Sequence, residues 1–154
     1  MIELGLIASV DHHVREKSAR RGEHTAFHDA EEAVSYRQLD DAPAGFATAL
    51  ADLGVTRGQT VAVFMPNGVR WVVAALGIVR RGAVLVPIGF DSSDDEAAYR
   101  LQDAGCVAVV APAAKLDQLA RCCKDAPNVR HLIVDGLPEA ADAAPLYGFE
   151  RLVS

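Results

Sequence analysis

The chain has 154 residues, 51% of them apolar and 23% charged, a balance that excludes disordered and fibrous classes and allows burial of about 68–70% of the unfolded surface. Fifteen Lys and Arg against 21 Asp and Glu leave a net charge of −6. The longest basic clusters are Arg20-Arg21 and Arg80-Arg81, which argues against nucleic acid as a partner. The start carries no basic leader, and the longest apolar stretch is cut by Arg80-Arg81 well short of a membrane span, so a cytoplasmic protein is expected. Cys106, Cys122 and Cys123 show no CxxC spacing, and reduced, partly buried thiols are expected.

In chain order, Leu4 to Arg20 has helix-compatible composition and stops at Arg21-Gly22. Thr25–His28 and Ala33–Ser35 flank the polar Asp29-Ala30-Glu31-Glu32 and predict a small β-hairpin. Ser35, three residues before Gln38, offers a capping box for a helix that starts at Tyr36 and closes at Gly54. Leu39, Phe46, Leu50 and Leu53 share one face of it. Pro43 inside that helix removes a hydrogen bond and clashes with the preceding turn, and predicts a kink or a break.

The most informative stretch follows. Val61–Met65 is a short apolar run, Pro66-Asn67-Gly68 a turn, Trp71 to Arg81 an apolar helix, and Gly82–Pro87 a second apolar run. This is a βαβ unit with parallel strands. Ser92 and Ser93 precede Asp95 and Glu96 by three residues and start a helix over 94–103 that ends at Gly105. Cys106–Val110 predicts a third strand, Ala113 to Lys124 a helix, and His131–Val134 a fourth strand stopped by Asp135-Gly136. Residues 137–147 read as a surface connection, with one last turn around Phe149 to Leu152. The alternation predicts a single α/β domain over 1–154: a mainly parallel twisted sheet flanked by helices, with a small N-terminal hairpin.

In such sheets ligands sit beyond the carboxyl ends of the strands. Asn67 and Phe90 occupy two of those ends and are the candidate residues for substrate or partner contact. Asn67 also reads as the N-cap of the helix after the first parallel strand. Trp71 reads as core or interface packing and Lys115 as a surface residue. His12-His13 lack partners at metal-ligand spacing, and no metal site or catalytic residue is expected. No GxGxxG follows the first parallel strand, which weakens an unrelated dinucleotide-binding reading.

Val34–Leu39, Leu53-Gly54-Val55 with Arg57–Ala62, Met65-Pro66-Asn67, Leu76-Gly77, Arg81–Pro87 and Tyr99–Gly105, taken in this order, resemble the amino-terminal region of the adenylate-forming enzymes, the acyl-CoA synthetases and their adenylation-domain relatives. The resemblance covers about Ala26 to Val110 and implies a partial N-terminal subdomain of that fold. It also implies an enzyme that activates a carboxylic acid with ATP and Mg and passes the acyl group to CoA or a carrier thiol. The Ser/Thr/Gly-rich phosphate loop with its Lys, the acidic residue that meets the ribose and the mobile carboxyl-terminal domain have no counterpart among these residues.

Two departures stand inside the matched region: Ile88-Gly89-Phe90-Asp91 replaces the usual Asn-Pro-like step, and Pro43 and Gly45 replace good helix formers. The expectation is therefore an N-terminal scaffold, inactive by itself and binding no cofactor alone, partnered by a missing C-terminal portion or by self-association through an exposed apolar face. The alternative is a self-standing, non-catalytic module that binds a protein or a small ligand.

Overall fold

The computed structural model describes residues 9–138, 141 and 144–153. The elements are α1 (Val10–Arg21), β1 (Thr25–His28), β2 (Ala33–Ser35), α2 (Tyr36–Asp52), β3 (Thr60–Val63), α3 (Val69–Arg81), β4 (Val84–Pro87), α4 (Asp94–Asp103), β5 (Ala108–Pro112), α5 (Leu116–Cys122), β6 (His131–Asp135), β7 (Leu146–Gly148) and α6 (Phe149–Val153). β1 and β2 form an antiparallel hairpin. The remaining strands form one five-stranded sheet in the order β4-β3-β5-β6-β7. Every pair in it is parallel.

Side chains on successive strand residues point to opposite faces, and this alternation divides the interior into two cores. Val61 and Val63 of β3, with Ala108 and Val110 of β5, meet Phe46, Leu50, Val73, Ile78 and Phe149 from α2, α3 and α6. Ala62 and Phe64, with Val109 and Ala111, face Ala97, Leu101 and Leu119 from α4 and α5. Buried on both faces, β3 and β5 read as continuous apolar runs.

Local chemistry sets the helix boundaries. Ser35 closes the expected capping box, its Oγ accepting from Gln38 N at 3.2 Å while Gln38 Oε1 accepts from Ser35 N at 2.9 Å. Ser93 Oγ accepts from Glu96 N at 3.2 Å and starts α4. Gly82 stands at φ 78 and ends α3 in the left-handed conformation that glycine adopts without a Cβ penalty. Gly77 matters for packing instead. A Cβ there would lie 2.7 Å from Phe46 Cδ1 and 3.1 Å from the Pro43 carbonyl oxygen, so its absence lets α2 and α3 close together.

Four sequence expectations need correction. Ser9 is extended and its Oγ accepts from His12 N, so α1 starts at Val10; the expected start over 4–8 lies outside the described residues. Of the kink or break expected at Pro43, the break is overturned, because α2 runs through it to Asp52. The N–H that Pro43 lacks would have served Leu39; in the same turn the Asp40 carbonyl oxygen accepts from Arg80 Nη1 at 2.6 Å, which ties this part of α2 to α3. The expected helix over Ala113 to Lys124 is α5 with a 3₁₀ turn at each end. Leu146 and Tyr147, read as the end of a surface connection, belong to a fifth strand, paired as Leu132↔Leu146 and Ile133↔Tyr147. Of the rest of that connection, residues 139, 140, 142 and 143 lie outside the described residues.

Candidate functional site

Because β3 and β4 are parallel neighbours with Val63 opposite Pro87, the loops leaving their carboxyl ends lie side by side. Between them opens a groove of about 400 Å³ lined by Pro66, Asn67, Trp71, Pro87, Phe90 and their neighbours. The two candidate contact residues, 23 positions apart in the chain, thus line the same groove. Asn67 is exposed and Phe90 half-buried. A second hollow of about 200 Å³ adjoins it, sharing Pro66, Asn67 and Trp71 and bounded on its far side by Asp29, Glu32, Arg70 and Asp135.

The N-cap expectation for Asn67 is corrected. The residue before α3 is Gly68, with extended backbone and no side-chain cap of its own. Asp29, in the hairpin turn, supplies the missing acceptor: its Oδ2 accepts from Val69 N at 2.8 Å. Its Oδ1 accepts from Glu31 N at 2.8 Å and Glu32 N at 2.9 Å. These donors, Val69 first, hold the Asp29 carboxyl below its ordinary value. A Cβ on Gly68 would stand 2.7 Å from Asp29 Oδ2. Glycine beside an acid from a distant turn is what fixes the Asn67 loop. A capping signal read one residue before a helix has no means of revealing a cap 40 residues upstream.

At the end of β6, Asp135 meets Arg70 of α3 and Glu150 of α6. Arg70 Nη1 donates to Asp135 and, at 2.7 Å, to Glu150 Oε1; its Nε stands 3.4 Å from Glu32. Burial pushes the Asp135 carboxyl up to about 6, and hydrogen bonding to Glu150 adds to this while Arg70 opposes it. Glu150 also accepts from Gly136 N at 3.1 Å. Nothing in the local sequence around 70, 135 or 150 signals this cluster, since its members come from three elements and the hairpin.

Lys115, read as a surface residue, is half-buried, and its Nζ lies 4.7 Å from the centre of the Phe64 ring and 4.5 Å from that of Phe90. Gln118 Oε1 accepts from the same ammonium at 2.8 Å.

Comparison with known proteins decides the family. The profile of the AMP-binding enzymes matches residues 14–149. The chain belongs to the AMP-binding enzyme family. It is 32% identical over 104 residues to a medium/long-chain-fatty-acid and 3-oxocholest-4-en-26-oate CoA ligase of Mycobacterium marinum, an alignment covering 68% of this chain and 19% of that one. The chain thus spans about one fifth of the length of that curated relative (19%). Its backbone superposes with TM-score 0.87 on an anthranilate CoA ligase solved with anthranoyl-AMP, at 22% identity, covering 98% of this chain and 28% of that one. It superposes with TM-score 0.76 on the N-terminal domain of FACL13 from Mycobacterium tuberculosis, at 22% identity, covering 83% of this chain and 34% of that one. The expected fold, an α/β N-terminal portion with a parallel sheet and a small hairpin, is the fold observed.

The residues around the second hollow do not by themselves fit the phosphates or the metal that the AMP-binding family implies. The second hollow is walled by Asp29, Glu31, Glu32 and Asp135, and the Arg70 guanidinium beside it is engaged by three carboxylates. Among the described residues no group of three or more His, Cys, Asp or Glu is placed to hold a metal ion. The cysteines offer no activated thiol: burial pushes Cys106 up to about 11 and raises Cys122 and Cys123 as well. No helix among the described residues is long and apolar enough to cross a membrane.

Proposed function

We propose that this chain is the N-terminal scaffold of an ATP-dependent acid–thiol ligase, in which the loops carrying Asn67 and Phe90 form one wall of the substrate cleft. The observation that carries the reading is their meeting in one groove at the carboxyl edge of a parallel sheet, where ligands of open α/β sheets are held. In this reading the Trp71 and Phe90 rings supply apolar surface that excludes water from a bound acyl group, and the exposed Asn67 amide offers a donor and an acceptor to its polar end. ATP, Mg and CoA are handled by residues outside this chain, in keeping with the acidic surroundings of Arg70. The partner is the remainder of a ligase, and the setting is cytoplasmic. The apolar groove of about 390 Å³ between α2, α3 and α6, lined in part by Val69, Val73 and Phe149, is a surface through which the isolated chain associates with itself.

The test is replacement of the matched segment in the Mycobacterium marinum ligase by this chain, followed by ATP–pyrophosphate exchange with fatty and steroid acids. A folded, exchanging chimera whose KM for the acid rises in the Asn67→Ala or Phe90→Leu variant supports the scaffold reading. A folded chimera with no exchange sinks it.

A further inference from the structure

Lys115 sits just after β5, whose neighbour β3 leads into the groove, and its charge is held in an unusual place. The ammonium is over two aromatic rings, one of them fully buried Phe64 and the other the groove residue Phe90. The rings themselves meet edge to face at 6.5 Å between centres. Aromatic faces carry negative potential and attract a cation within about 6 Å, so the ammonium draws both rings toward one point. Gln118 fixes that point from the other side. It accepts from Lys115 Nζ at 2.8 Å and its Nε2 donates to the Ser92 carbonyl at 2.9 Å. Ser92 N in turn donates to the Gly89 carbonyl at 2.9 Å. One chain of contacts therefore runs from Lys115 to Phe90 directly and, through Gln118 and Ser92, to the base of the loop that carries it. Asp94 completes the surroundings: it pairs with Arg121 at 2.5 Å and lies within electrostatic reach of Lys115.

We propose that Lys115 is a positioning residue for the aromatic wall of the groove, fixing the Phe90 ring and, through Gln118, the Gly89–Ser92 turn, and thereby setting which acyl shapes the groove admits. The selection of acyl shape rests on the cleft reading above; the positioning of Phe90 does not. Without the ammonium, the outer ring has lost the charge that gathers it against Phe64, and the loop is free to open away from Trp71. The arrangement needs a cation that also donates to Gln118, so arginine, whose guanidinium stacks on aromatic faces and carries N–H donors, keeps the wall in place while methionine, of similar reach and no charge, does not.

The experiment uses the whole chain and its single tryptophan. Trp71 lines the same groove as Phe90, so acrylamide quenching of its fluorescence reports how open the wall is. Lys115→Met raises the quenching constant about twofold, Lys115→Arg returns it to the starting value, and Phe90→Leu raises it alone. In the Phe90→Leu background, Lys115→Met adds much less than it does alone, because the ring contact is already gone and only the route through Gln118 to Ser92 is left to lose. Thermal melts of each variant separate this from general loosening. Quenching unchanged in a folded Lys115→Met variant, or increases that add in the double variant, overturns the proposal. Since no nucleotide or acid is present, that failure is distinct from failure of the pyrophosphate exchange that tests the ligase reading.

Discussion

Asp29 and Val69 are joined by a 2.8 Å hydrogen bond from the Val69 N–H to the Asp29 carboxylate, across 40 positions of sequence. The bond ties the N-terminal hairpin to the start of α3 and places a negative charge where the helix dipole favours it. The loop at the mouth of the groove is consequently held from the hairpin side and not by its own Asn67.

Asp29→Ala is expected to lower the Tm by about 2–4 °C, the effect of losing one cap in a chain of this size. Gly68→Ala, which brings a Cβ to 2.7 Å from Asp29 Oδ2, is expected to destabilise the natural chain and to be neutral or stabilising once Asp29 is alanine. Melts of the two single variants and the double variant check this; losses that simply add mean that the Asp29 carboxylate is not what glycine accommodates. Because the Asp29 carboxyl titrates below the ordinary 3.8 in the fold, its contribution is complete above that value and is lost as pH falls through the lower folded value. Asp29→Asn should therefore show a shallower loss of stability on acidification.

Arg80 lies between α1, α2 and α3 with a side chain only 9% exposed. It donates to Asp11, to Asp40 Oδ1 at 2.7 Å and to the Asp40 carbonyl at 2.6 Å. Arg80→Met leaves the Asp40 carboxylate and carbonyl without this donor, while Asp11 keeps Arg15 at 3.1 Å, and a loss of about 2 kcal/mol is expected for this partly buried site. Urea unfolding is the measurement, and a drop below about 0.5 kcal/mol would show that the site is solvated as readily as an exposed ion pair.

Asp135 has the opposite sign from Asp29. With its carboxyl raised from 3.8 to about 6, Asp135 holds its proton in the folded chain through a window in which the unfolded chain has lost it, while the hydrogen-bonded Glu150, held below its ordinary value, opposes this in part. Stability therefore falls as pH rises through this window and stays reduced above it. Asp135→Asn, whose amide remains uncharged, should remove the fall and raise stability near neutral pH by about 1 kcal/mol after allowance for screening. Denaturation at a series of pH values from acid to neutral decides it: a stability difference between variant and natural chain that does not change with pH would sever the link to this carboxyl.

Alone, the chain is expected to give no ATP–pyrophosphate exchange with any carboxylic acid. The reaction needs donors on the phosphates, whereas Arg70, the cation at the second hollow, is already shared among Asp135, Glu150 and Glu32. Exchange from rigorously purified chain would overturn the scaffold reading in one measurement.

The sequence by itself determined the elements whose signals are local. The apolar run at Val61–Met65, the Ser35–Gln38 capping box and the helix-ending Gly82 each act within a few residues, through side-chain alternation, a reciprocal hydrogen bond and a backbone angle. Together with the ordered family motifs they made the α/β fold legible, and they placed Asn67 and Phe90 at strand ends. Only the tertiary structure decided what those ends meet. The cap on α3 comes from Asp29, the cation on Phe90 from Lys115, and the raised acid at Asp135 from its burial with Glu150. The short strand β7 owes its existence to the edge of β6 that it pairs with. Contacts of this kind carry no periodicity along the chain, because their geometry is set by which strands lie side by side in the folded sheet.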